Sequence, residues 1–213
     1  MILYRISSTL LLFLWKFFFR LEVKGKENIP RRGGFILASN HLSYLDPTVL
    51  GAACCPRTLN FMARHDLFGI PIFGVFIRAV GAIPIRRNFA DITSIKEALR
   101  HLRKEQGIVL FPEGTRSSGK LLSNNFQPGI GLIAIRSQAP VIPALINGTQ
   151  KAFGRHARFI KPAKVRVYFG KPIYPKRTDG KDNYEYFANR VMHEINRLSQ
   201  EGGIIKNETG EQY

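Results

Sequence analysis

A histidine and an aspartate stand five positions apart in the stretch Ser39-Asn40-His41-Leu42-Ser43-Tyr44-Leu45-Asp46-Pro47. A carboxylate bonded to one imidazole nitrogen fixes the tautomer and leaves the other nitrogen to take a proton from a hydroxyl. On one regular helix five residues turn through about 500°, so the two side chains would diverge. On a turn leading into a helix they can converge. The same residues also have a purely structural reading. Asp46 can be an N-cap, Pro47 the first helical residue and His41 an ordinary turn histidine.

Two further polar clusters each follow an apolar run: Arg86-Arg87 after Gly81 to Ile85, and Glu113-Gly114-Thr115-Arg116 after Ile108 to Phe111. In open α/β sheets the loops leaving strand ends are where ligands bind. One candidate base and several arginines there would suit a phosphorylated alcohol, because Arg makes bidentate contacts to phosphate. Taken singly, Arg87 and Arg116 read as solvated surface residues.

The elements that must position these residues alternate along the chain. Short apolar runs at Leu21–Lys24, Phe35–Ala38, Leu59–Ala63, Gly81–Ile85, Ile108–Phe111, Val141–Ile146 and Val165–Phe169 read as strands. Helices are expected from Pro47 to about Ala53, from Asp91 to Lys104, from Gly129 to Arg136 and around Tyr184–Leu198. In the Asp91–Lys104 helix, Ile92, Ile95, Ala98, Leu99 and Leu102 form the apolar face. Residues 67–80, rich in glycine and apolar side chains, suit either an apolar groove or lipid-facing segment or a plain core helix. The pattern predicts a single-domain α/β fold, with a mixed, largely parallel sheet flanked by helices. Residues 21–200 form the domain, 1–20 a separate N-terminal helix and 201–213 a frayed tail.

The first 20 residues are apolar and Phe-rich but interrupted by Arg5, Lys16 and Arg20. The uncharged stretch between Arg5 and Lys16 is short of the roughly 20 apolar residues of a membrane span. An interfacial, membrane-interacting helix is the favoured reading, with a buried core helix as one alternative and a full span, its Arg5 and Lys16 snorkelling, as another. Across the chain, 32 Lys and Arg against 15 Asp and Glu give a net charge of +17, which calls for an anionic partner. A nucleic-acid binder would explain the charge but not the Phe-rich start, and neither zinc-finger spacing nor an RNP-like aromatic pattern is present. Cys54 and Cys55 are adjacent and unsuited to a mutual disulfide, and no cysteine–histidine cluster suggests a metal. Both read as small apolar residues in a reducing compartment.

The chain resembles the glycerolipid acyltransferases, above all those that acylate 1-acylglycerol 3-phosphate. Four ordered blocks carry the resemblance: NHLSYLD, GAIPIRR, FPEGTRS and VIPALI, spread over residues 39–146. The resemblance implies His41 as catalytic base and Asp46 as its partner. It implies Arg87 as a phosphate contact, and Glu113, Gly114, Thr115 and Arg116 in the acyl-acceptor site, with Pro143 in the fourth block. MARHDLFGIPIFG and FQPG also look like family segments. The chain departs from the usual family residues at His65, Asp66, Arg86 and Gln127.

The activity so implied is transfer of a fatty acyl group from acyl-CoA or acyl-carrier protein to the sn-2 hydroxyl of lysophosphatidic acid, giving phosphatidic acid. No metal or bound cofactor is called for. The setting would be the cytoplasmic face of the cell membrane, against an anionic surface. Another lysolipid or glycerol 3-phosphate as acceptor, or a non-catalytic basic lipid-binding relative, are the other readings.

Overall fold

A computed structural model describes residues 2–71, 73–79, 82–85, 92–114, 129–154, 157–178 and 180–201. The expected tail, apart from Glu201, lies outside these residues. Seven strands form one sheet: β1 Glu22–Lys24, β2 Phe35–Ser39, β3 Leu59–Arg64, β4 Ile83–Ile85, β5 Gly107–Leu110, β6 Val141–Asn147 and β7 Arg166–Phe169. Their order is β1-β7-β6-β2-β5-β3-β4. Neighbours run parallel except β6 and β7. The helices are α1 Ile2–Phe19, α2 Asp46–Cys54, α3 Phe73–Ala79, α4 Ile92–Arg103, α5 Gly129–Ser137, α6 Thr149–Phe153 and α7 Lys181–Glu201.

Strands covered on both faces read as near-continuous apolar runs. Phe35 through Ser39 are all buried, as are Gly107 through Leu110. Alternate residues of β2 serve opposite faces. Ile36 and Ala38 pack with α4, α5 and α7, whereas Phe35 and Leu37 pack with α1 and α2. The outer strand β1 instead carries charge, with Glu22 bonded to Lys164 at 2.5 Å and to Arg166 at 3.0 Å. Charged edges discourage further strand pairing. The Lys164 hydrogen bond, then that of Arg166, holds the Glu22 carboxyl below its ordinary range.

Pro143 sits within the central strand β6, where a missing N–H would normally break a ladder. The β7 side accommodates it: the Pro143 carbonyl accepts from Gly170 N–H at 2.8 Å, beyond the last β7 residue.

The expected α/β architecture is present, and two helices differ from expectation in detail. In α4, Ala98 and Leu102 are buried and Ile95 and Leu99 partly so, but Ile92, the first residue of the helix, is exposed. Residues 67–80 divide between a 3-10 turn, His65–Gly69, and α3. The N-terminal helix has one side packed on the domain and one side turned outward. Trp15 is buried and, with Leu11, Leu12 and Phe19, packs into the cluster that holds α2. Phe13, Phe17 and Phe18 face outward. No helix among the described residues is long and apolar enough to cross a membrane.

Arg57 fastens the Gly25–Gly34 loop to the sheet. Its guanidinium donates to the carbonyls of Pro30 (2.8 Å), Gly33 (2.5 Å) and Glu105 (2.7 Å), and it lies over the Phe35 ring. Partial burial pulls its pKa down. Arg57→Ala leaves three carbonyls without this donor and is expected to cost about 2 kcal/mol, read as a lower urea midpoint at unchanged slope.

Candidate active site

Adjacent strands β2 and β5 send their chains to opposite faces of the sheet. After β2 the chain enters α2, on the α1 side; after β5 it leads on to α5, on the α7 side. Such a switch point opens a crevice at the carboxyl ends of the strands, where open α/β sheets bind ligands. His41 follows β2, Glu113 follows β5 and Thr149 follows β6, all at the same sheet edge because these three strands run parallel.

The turn after β2 begins with Asn40, whose side chain extends the β2–β6 ladder by one step. Its Nδ2 donates to Ile146 C=O at 2.9 Å, and its Oδ1 accepts from Ile146 N–H at 2.7 Å. The strand end is thereby pinned directly before His41. His41 Nδ1 lies 2.8 Å from Asp46 Oδ2, and the imidazole stacks on the Phe111 ring at a 4.2 Å centroid distance. The ring is therefore held both at its edge and at its face.

Asp46 does not take the N-cap position of the structural alternative. It is the first residue of α2, and Leu45 is the cap. Its carboxylate turns back into the preceding loop. Oδ2 accepts from Leu42 N–H (2.6 Å) and Ser43 N–H (2.8 Å) as well as from His41. Oδ1 accepts from the Thr149 hydroxyl at 2.6 Å. Asp46 is fully buried with three other donors on it, and because a carboxylate only accepts, its contact with His41 assigns the proton to Nδ1. Nε2 is then the nitrogen suited to receive a proton.

Ser43 closes the turn, donating to Phe153 C=O at 2.6 Å and accepting from Leu45 N–H at 3.1 Å. Thr149 and Phe153 both belong to α6, an element absent from the sequence-based expectation. Gly148 caps the start of α6 with φ +101°, and a Cβ there would lie 2.1 Å from the Lys164 carbonyl oxygen. A glycine is needed to bring Thr149 under Asp46. A signal for Thr149 does exist in the sequence. Gly148-Thr149 is a polar step after a buried strand, like the steps after β2 and β5. Thr149→Val is expected to lower kcat about tenfold by loosening Asp46, with Thr149→Ser restoring most of it. A matching change in KM rather than kcat would contradict that role.

On the β5 side, Phe111 to Gly114 forms a tight turn, with Gly114 N–H donating to Phe111 C=O at 3.0 Å and Gly114 at φ +66°. Both Glu113 carboxyl oxygens are shielded from solvent. Arg87, Thr115 and Arg116 lie outside the described residues, as do Arg86 and Gln127. Cys54 is buried, which pushes its thiol up and away from nucleophilic reactivity.

The acyltransferase family model matches residues 20–147. The chain is 30% identical over 202 residues to the 1-acyl-sn-glycerol-3-phosphate acyltransferase of Streptococcus pneumoniae, covering 92% of this chain and 72% of that protein. It is 29% identical over 154 residues to the Bacillus subtilis protein of the same name, covering 72% and 74% respectively. Among solved structures, the 1-acyl-sn-glycerophosphate (LPA) acyltransferase PlsC from Thermotoga maritima superposes with a TM-score of 0.73 at 25% identity, covering 96% of this chain and 81% of that one. The chain belongs to the acyltransferase family.

Proposed function

We propose that this protein transfers a fatty acyl group from a thioester donor to the sn-2 hydroxyl of 1-acyl-sn-glycerol 3-phosphate, forming phosphatidic acid. The observation that carries the reading is the His41–Asp46 pair, held at a sheet switch point by four hydrogen bonds to Asp46. The names of the relatives at about 30% identity support the acceptor.

In this mechanism His41 Nε2 takes the proton of the 2-hydroxyl as its oxygen attacks the thioester carbonyl. Asp46 stabilises the imidazolium that forms. The tetrahedral intermediate collapses by breaking the C–S bond, and the proton on His41 passes to the departing thiolate. No covalent acyl-enzyme is needed. Arg87 and Arg116 would hold the acceptor phosphate, with Glu113, Gly114 and Thr115 completing the acceptor site; these roles rest on the sequence blocks. The donor is acyl-CoA or acyl-carrier protein, and the setting an anionic membrane at its cytoplasmic face. The +17 charge supports such a surface, each basic residue close to it adding about 1 kcal/mol of attraction.

The test is an acceptor panel with the full chain in mixed micelles: lysophosphatidic acid, glycerol 3-phosphate and lysophosphatidylcholine, each offered acyl-CoA and acyl-carrier protein. Phosphatidic acid as the dominant product is expected. Preferred acylation of either other acceptor would contradict the assignment.

A further inference from the structure

Between α6 and β7 the chain runs irregularly through residues 157–164, and two adjacent large apolar side chains stand out from it. Phe159 is 76% exposed and Ile160 56%. Isolated exposed apolar residues are ordinary, but this pair is bracketed by the exposed cations Arg158 and Lys161. An apolar tip in a cationic frame matches a bilayer surface, with the tip among acyl chains and the cations at anionic headgroups. Lys164 is not part of the frame, because it is paired with Glu22.

The segment is held at its middle and just past its C-terminal end. Lys161 N–H donates to Ala152 C=O in α6, and Val165 N–H donates to Phe19 C=O at the last residue of α1, each at 2.9 Å. One end is thus joined to the helix that presents Phe13, Phe17 and Phe18 outward. Its middle is joined to the helix that supplies the Thr149 hydroxyl and the Phe153 carbonyl to the His41–Asp46 turn.

We propose that residues 157–164 form a second contact with an anionic bilayer, acting beside α1 and holding the α6 side of the site against the lipid from which the acceptor is drawn. This rests on the membrane-bound acyltransferase reading above. An acidic acyl-carrier protein would account for Arg158 and Lys161, but not for an apolar pair joined to a helix already carrying outward phenylalanines.

The test is partitioning of the full chain onto phosphatidylcholine vesicles with and without phosphatidylglycerol, with thermal melts as a check on folding. Three variants are compared: Phe159→Ser/Ile160→Ser, Arg158→Gln/Lys161→Gln and Phe13→Ser/Phe17→Ser. The first is expected to weaken partitioning about tenfold. The second is expected to flatten its dependence on anionic lipid and on salt. Unchanged partitioning of both loop variants beside a weakened α1 variant overturns the loop's role and leaves the membrane reading standing. Failure of the unaltered protein to bind either vesicle overturns both. Unchanged vesicle binding with lost binding to acyl-carrier protein assigns the loop to that partner instead, and also overturns the proposal.

Discussion

Asp46→Asn is expected to lower turnover on the order of 10³-fold while the protein stays folded. An asparagine can keep its oxygen toward Leu42, Ser43 and His41 and turn its amide toward Thr149, whose hydroxyl can accept as well as donate. The geometry is then largely retained, and what is lost is the negative charge that stabilises the imidazolium. Asp46→Ala removes the acceptor itself. Two buried backbone N–H groups, an imidazole N–H and a hydroxyl lose their partner, and about 3–5 kcal/mol of stability should go with them. Urea unfolding beside steady-state kinetics separates the two variants. Equal stability loss in both would mean that the charge, and not the set of acceptor positions, holds the turn.

His41→Ala is the second large effect. Turnover is expected to fall about 10³-fold, within the usual range for losing a general base. The fold should survive, since Asp46 keeps its Leu42, Ser43 and Thr149 donors and the stacking contact with Phe111 is worth about 1 kcal/mol. The loss should appear in kcat, with KM for the acceptor little changed, because proton transfer matters only in the transition state. A change confined to KM would make His41 a binding residue.

The readable parts of this molecule are those where one local rule dominates. Buried parallel strands are continuous apolar runs, so β2, β5 and β6 are visible to within a residue or two at each end. The α7 helix shows its period through Phe187, Val191, Ile195 and Leu198. His41 and Asp46 are visible as a pair because their spacing recurs beside FPEGTRS, although spacing alone leaves the N-cap reading open.

What escapes the sequence depends on tertiary contact. Asp46 turns away from the N-cap role because three donors in its own loop and one from α6 compete for its oxygens. Thr149 lies over 100 positions from Asp46, and no local pattern connects them. Helix α6 is only five residues long, too short for a periodic signal, and exists where Gly148 permits a close approach to Lys164. Arg57 is one cation among many in a strongly basic chain; only the folded loop shows that its guanidinium serves three carbonyls.

The most direct measurement is acyl transfer from labelled acyl donor to 1-acylglycerol 3-phosphate, with wild type and His41→Ala side by side and the product identified by mass. The expected result is phosphatidic acid from the wild type and almost none from the folded variant. Equal turnover by the two proteins would contradict His41 as the base and, with it, the chemistry assigned to the crevice between β2 and β5.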